Sequence, residues 1–162
     1  MVGEALRERW PVDRVVVSSR RRTRQTARAA GFADAPTTVD DRWMEIDFGA
    51  YDDRLIGDVM AELAAAWASD VSYAPRGGES MTSLHERVGE AVAELAEEAT
   101  TSNVLVVTHA TPIKSAVVWL LGGGAEMIMR LRVSLASVTA FRPVSHGLVL
   151  HEFNWCPARR IN

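Results

Sequence analysis

"VVVSSRRRTRQTARAAG", residues 15–31, changes character twice: three valines lead into two serines, five arginines follow within nine positions, and the stretch closes on small residues and a glycine. The apolar run of "DRVVVSS" (13–19) reads as a short buried strand. The residues after it are helix formers, with Ser18 or Ser19 as the expected N-cap and Gly31 as the stop. A strand that turns directly into a helix places free backbone amides and the positive end of a helix dipole beside those arginines. In a chain that is acidic overall, at a formal charge of −3, such concentrated positive charge points to an anion.

The same logic recurs downstream. "NVLVVTH" (103–109) reads as a second buried strand, and "PIKSAVVWLLGG" (112–123) as the helix behind it, with Pro112 in its first turn. Between the two units, residues 34–53 carry Pro36 and Gly49 without a regular period and are expected to form an extended loop. Residues 55–69 form a helix in this reading. "YAPRGGES" (73–80) is a break whose Ser80 caps the helix beginning "MTSLHERVGE". "SLASVTAFRP" and "GLVLHEF" supply two closing strands. This alternation predicts an α/β fold, a three-layer α/β/α sandwich on a mostly parallel sheet, and 162 residues with 48% apolar content suit a single domain.

Composition narrows the classes. No run reaches membrane-spanning length and the first residues lack a signal-peptide core, so a cytoplasmic protein is expected. The single cysteine, Cys156, cannot form an internal disulfide, and no Cys or His cluster has metal-site spacing, so no metal or other cofactor is implied. Nucleic-acid binding through "RRRTR" conflicts with the acidic balance and the lack of interleaved aromatics.

Chemistry in parallel sheets collects at the carboxyl ends of the strands. Those ends carry Ser18 through Arg22 in one unit and Thr108, His109, Ala110 and Thr111 in the other. Arginine offers a planar fork to phosphate oxygens, and histidine can act as acid, base, nucleophile or donor. Solvated arginines and a structural histidine account for the same residues, so this pattern alone reaches only an α/β domain with an anion site. His85 is expected at the surface, and His146 and His151 in structural roles near the closing strands.

Four segments in order, "VSSRRRTRQTA", "WMEIDFGAYDD", "PRGGES" and "VLVVTHATPIKSAVVWLLG", resemble the histidine phosphatase superfamily, the phosphoglycerate mutase-like proteins. The "HATPIK" and "LRVSLASVTAF" stretches are most similar to the acid phosphatase domain that actinobacterial proteins carry behind an RNase H domain. The resemblance implies that Arg22 is a phosphate-binding arginine, Glu45 the proton donor to the leaving alcohol, and His109 the histidine that contacts the phosphoryl group. Ser18 and Ala110 would then complete the substrate-binding set, and Glu79 would sit at the pocket rim unless capping by Ser80 accounts for it. Arg20, Arg21, Arg24 and Arg28 would cover solvent or shape the rim.

The superfamily's defining Arg-His-Gly motif, carrying the nucleophilic histidine, is expected upstream of "GEALRERWPVDRVVVSS", so the resemblance implies an N-terminally incomplete domain without its first, central strand. The implied function is a metal-independent phosphomonoesterase working through phosphohistidine, inactive as this chain stands. The alternatives are a non-catalytic phospho-ligand module and a phosphoglycerate mutase-type phosphotransferase. Implied partners are a small phosphorylated substrate or free phosphate, an RNase H portion fused or separate, and a second copy of the chain in a homodimer, with neither nucleic acid nor membrane.

Overall fold

The computed structural model describes residues 2–52, 54–145 and 147–157. Helix α1 (Val2–Arg9) leads into strand β1 (Arg14–Val17) and helix α2 (Arg21–Ala29). Strand β2 (Thr37–Val39) and two 3-10 turns, Asp41–Trp43 and Gly49–Tyr51, precede helices α3 (Ile56–Ser69) and α4 (Met81–Glu98). Strand β3 (Val104–Val107), helix α5 (Ala110–Leu120), a 3-10 segment Ala125–Arg130 and the strands β4 (Val138–Val144) and β5 (Gly147–Trp155) complete the order.

Three strands form a parallel sheet in the order β2-β1-β3, and β4 and β5 form an antiparallel pair of their own. Alternation along β1 and β3 builds a core on each side of the parallel sheet. Val15, Val17, Leu105 and Val107 face one layer with Leu6 of α1 and Ala27 of α2. Val16, Val104 and Val106 face the opposite layer with Leu63 of α3, Leu84 and Val88 of α4, and Ala116 and Val118 of α5. The period of two in the strands thus produces the α/β/α layering. The three valines of β1 are almost fully buried, each stabilising the fold by about 1.5–3 kcal/mol. Outside the sheet, Trp10 after α1 packs edge-on against Trp155 of β5, with rings 5.8 Å apart.

Three expectations need correction. Strand β2 lies within the stretch read as loop; all three of its residues are exposed, so it has no apolar period, and its place comes from pairing with β1. The N-cap of α2 is Arg20, with no side-chain cap, because the hydroxyl of Ser18 is turned into the interior. His85 is half-buried, its Nδ1 3.0 Å from the fully buried Ser115 Oγ, where α4 packs on α5. Ser80 caps α4 as expected, its Oγ accepting from Ser83 N at 3.0 Å. His151 is exposed on β5, and His146 lies outside the described residues.

Candidate functional site

The register pairs Val17 with Val107, so β1 and β3 end side by side and deliver Ser18 and His109 to the same sheet edge. Helices α2 and α5 both begin there without a side-chain cap. The Arg21 and Arg22 amides of α2 and the Ala110 amide of α5 have no helical carbonyl one turn back, whereas Thr23 N already donates to Arg20 O at 3.2 Å. Pro112, third in α5, has no amide proton to contribute.

His109 is buried, at 7% exposure, and both ring nitrogens are engaged. Arg22 Nε donates to His109 Nδ1 at 3.1 Å. Since an arginine nitrogen can only donate, Nδ1 holds a lone pair and the ring proton sits on Nε2, 2.9 Å from Ser18 Oγ. Ser18 Oγ in turn lies 3.2 Å from Thr23 Oγ1, which donates to the carbonyls of Arg20 at 2.8 Å and Ser18 at 3.0 Å. The relay fixes tautomer and ring orientation together. Burial, followed by the positive charges of Arg22, Arg20 and Arg87, pushes the His109 pKa down to about 4, so the ring is neutral at pH 7.

Glu45 reaches the same place from the opposite side. Its Oε1 accepts from Ile46 N at 3.0 Å and from Thr111 N, in the first turn of α5, at 3.3 Å. A carboxylate at a helix N-terminus is favoured by the dipole. Sequence-distant Arg22, His109 and Glu45 therefore converge, with Ser18 beneath the imidazole and Ala110 opening α5 beside it. Arg21, Arg24 and Arg28 are exposed, and Arg24 turns back to the Ser19 carbonyl at 2.7 Å. Arg20, expected at solvent or rim, lines a cleft of about 440 Å³ beside Glu45, together with Asp41, Met44, Asp47 and the start of α4.

Sequence reasoning missed Arg87. From α4 its Nε and Nη2 grip both oxygens of Glu79 at 2.6 and 2.7 Å, while Nη1 donates to the carbonyls of Arg42 at 2.6 Å and Met44 at 3.0 Å. One guanidinium thus ties "GGES" and the Glu45 loop to α4. Glu79 lines the cleft, as the rim reading expects, but it is bound to Arg87. Spacing from the capping Ser80 along the same helix is the only local signal, and it does not reveal that the partners come from residues 42–44. Two glycines let these segments meet: a Cβ on Gly78 would stand 2.6 Å from Asp47 O, and one on Gly49, at φ +53°, 2.5 Å from Arg76 O. Replacing Arg87 by leucine is expected to cost about 1–3 kcal/mol, because Glu79 and two loop carbonyls lose their donor. A urea midpoint unchanged by Arg87→Leu would contradict that role.

The parallel sheet thus brings an arginine, a buried histidine and a carboxylate together at two helix starts. The sequence profile of the histidine phosphatase superfamily (branch 1) matches residues 1–156, and the chain belongs to that superfamily. Over 138 residues it is 34% identical to a bifunctional protein of Mycobacterium tuberculosis, covering 83% of this chain and 38% of that relative. The chain therefore spans well under half the length of this curated relative. Among solved structures it is similar to the alpha-ribazole phosphatase of Shigella flexneri, with a TM-score of 0.79 and 26% identity over 94% of this chain and 78% of the other. It is also similar to a mycobacterial glucosyl-3-phosphoglycerate phosphatase solved with VO3, with a TM-score of 0.80 and 25% identity over 96% of this chain and 82% of the other. Among the described residues, no helix is long and apolar enough to cross a membrane.

Proposed function

We infer that this chain carries the phosphate-binding and proton-transfer side of a phosphomonoesterase of the histidine acid phosphatase type. The contact between Arg22 Nε and His109 Nδ1 at 3.1 Å, with the Glu45 carboxylate on the first turn of the helix that His109 opens, carries the reading. Arg22, His109, the amide of Ala110 and the first turn of α2 hold the equatorial phosphate oxygens, with Ser18 keeping the imidazole in place. A histidine from the Arg-His-Gly segment attacks phosphorus in line, the P–O bond to the alcohol breaks, and Glu45 gives that oxygen its proton. Water then attacks the phosphohistidine with Glu45 as base, releasing phosphate and restoring both groups. Positive charge on the chain itself supplies the transition-state stabilisation, so no metal is required.

The sequence contains no Arg-His-Gly, and in this reading a segment outside these 162 residues supplies the nucleophile. Among the described residues β3 is hydrogen-bonded only to β1, and its apolar residues Val104–Val107 are left half-buried on both faces. A parallel strand on that open edge would bring its carboxyl end level with His109, which supports placing the nucleophile there. The proposed setting is the cytoplasm, with an RNase H portion and a second copy of the chain as proposed partners.

A version extended upstream to include the Arg-His-Gly segment is expected to hydrolyse p-nitrophenyl phosphate without added metal and to yield an acid-labile phosphohistidine, while the 162-residue chain shows little turnover. Robust turnover by the short chain, lost on replacing one of its own histidines, would overturn the assignment. An extended form that binds phosphate but never forms the covalent species would establish the non-catalytic module instead.

A further inference from the structure

Glu45 opens onto a cleft lined also by Asp41, Met44, Asp47, Ala74 and residues around the start of α4, where the function proposed above would place the leaving alcohol. We propose that this subsite selects phosphate esters whose alcohol bears no second anionic group, favouring neutral polyhydroxyl or cationic ones; it rests on the function proposed above.

The charge balance of the walls makes the case. Arg20 and Arg87 are the two cationic side chains that line the cleft among the described residues, against the carboxylates of Asp41, Glu45, Asp47 and Glu79. The five donors of Arg87 are taken by both oxygens of Glu79 and by the carbonyls of Arg42, Met44 and, at 3.5 Å, Glu45, which leaves none for a ligand. Glu79 is neutralised by the same pairing. Arg20 is the remaining cation of the lining, and its charge also bears on His109. Lys114 is half-buried and feels the charge of Glu45 but is not part of the cleft lining.

The carboxylates of the lining outside the Arg87–Glu79 pair and Glu45 are Asp41 and Asp47. Each uses one oxygen on a backbone amide, Asp41 on Ser19 N at 3.0 Å and Asp47 on Gly49 N at 2.8 Å, and both are exposed to the cleft side with a second oxygen available. Even with Glu45 protonated as the acid, two carboxylates there face one arginine. A carboxylate or second phosphate on the alcohol would meet more negative than positive charge, whereas hydroxyls and an ammonium find acceptors. The same balance argues against a site that must hold two phosphates, as a mutase does.

Calorimetric titration of the 162-residue chain at fixed ionic strength tests this with inorganic phosphate, glycerol 3-phosphate, phosphoethanolamine and 3-phosphoglycerate. Glycerol 3-phosphate and phosphoethanolamine should bind at least about fivefold more tightly than 3-phosphoglycerate, as like-charge repulsion across a solvated cleft predicts. The Asp41→Asn/Asp47→Asn double variant, which keeps both amide acceptors, should bring that ratio within about twofold. Equal or tighter binding of 3-phosphoglycerate by the unmodified chain overturns the inference while leaving the phosphate site intact. Failure of all four compounds, inorganic phosphate included, removes the phosphate site itself and this subsite with it.

Discussion

Arg22→Ala is expected to weaken phosphate binding to this chain by about a hundredfold and to lower turnover of the extended enzyme by about a thousandfold. Arg22 is the one arginine of its run whose guanidinium touches His109, through Nε at 3.1 Å. The remaining two nitrogens of its fork stay available for an anion beside that ring. Charge-assisted hydrogen bonds of this kind contribute about 1.5–3 kcal/mol each, and loss of a group aimed at developing transition-state charge typically costs 10²–10³ in rate. Arg22→Lys should recover only a minor part, because an ammonium lacks the planar fork that matches two phosphate oxygens. Alanine at the exposed positions 21 or 28 provides the comparison and should change affinity less than threefold. Calorimetry with inorganic phosphate decides it: equal losses at positions 21, 22 and 28 would reduce the arginine run to a diffuse positive field.

A second large effect is expected with pH. His109 is neutral and buried in the folded chain, with its pKa lowered to about 4 from 6.5. The unfolded chain therefore takes up a proton at this residue as pH falls through 6.5, while the folded chain does not until about pH 4. Stability from this residue is fully present above pH 6.5, declines between 6.5 and 4, and changes no further below that. A shift of this size corresponds to a loss on the order of 3 kcal/mol. Urea midpoints measured from pH 7.5 to 4 should fall accordingly. His109→Gln should show a distinctly shallower fall, and parallel curves for the two proteins would refute the assignment.

Phosphate should reverse the trend. With an anion drawing Arg22 away and offering acceptor oxygens, protonation of Nδ1 becomes favourable, so the His109 pKa rises on binding and phosphate is bound with proton uptake. The imidazole Cε1–H resonance reports this directly, and an identical titration with and without saturating phosphate would show that His109 does not face the ligand.

The fold was readable because its main signals are local. Three valines in a row, hydroxyls at their end and a glycine sixteen positions past Val15 specify strand, turn and helix without reference to anything distant. Ser80 declares the start of α4 in the same way, since an N-cap is satisfied by an amide three residues on. What escaped this reading has no local signature. Strand β2 is exposed along its whole length and exists because the edge of β1 accepts it, residue 15 against 37. His85 sits among charged neighbours that suggest a surface, and only the packing of α4 on α5 buries it against Ser115.

The site divides along the same line. Residue types at the strand ends, and the family they resemble, pointed to Arg22, Glu45 and His109 from the sequence alone. Their meeting depends on the parallel register of β1 with β3, which aligns two strand ends that are 90 positions apart in the chain. Arg87 shows the limit most plainly: its sequence context is that of an ordinary arginine on a helix, and its role comes from the carbonyls of residues 42 and 44, more than 40 positions away, that tertiary packing places against it. Hydrophobic period and capping chemistry are properties of neighbouring residues and can be read in order. Which charge is paired, which is buried and which is left facing a ligand depends on the surroundings supplied by the rest of the chain, and only the assembled sheet and its helices determine that.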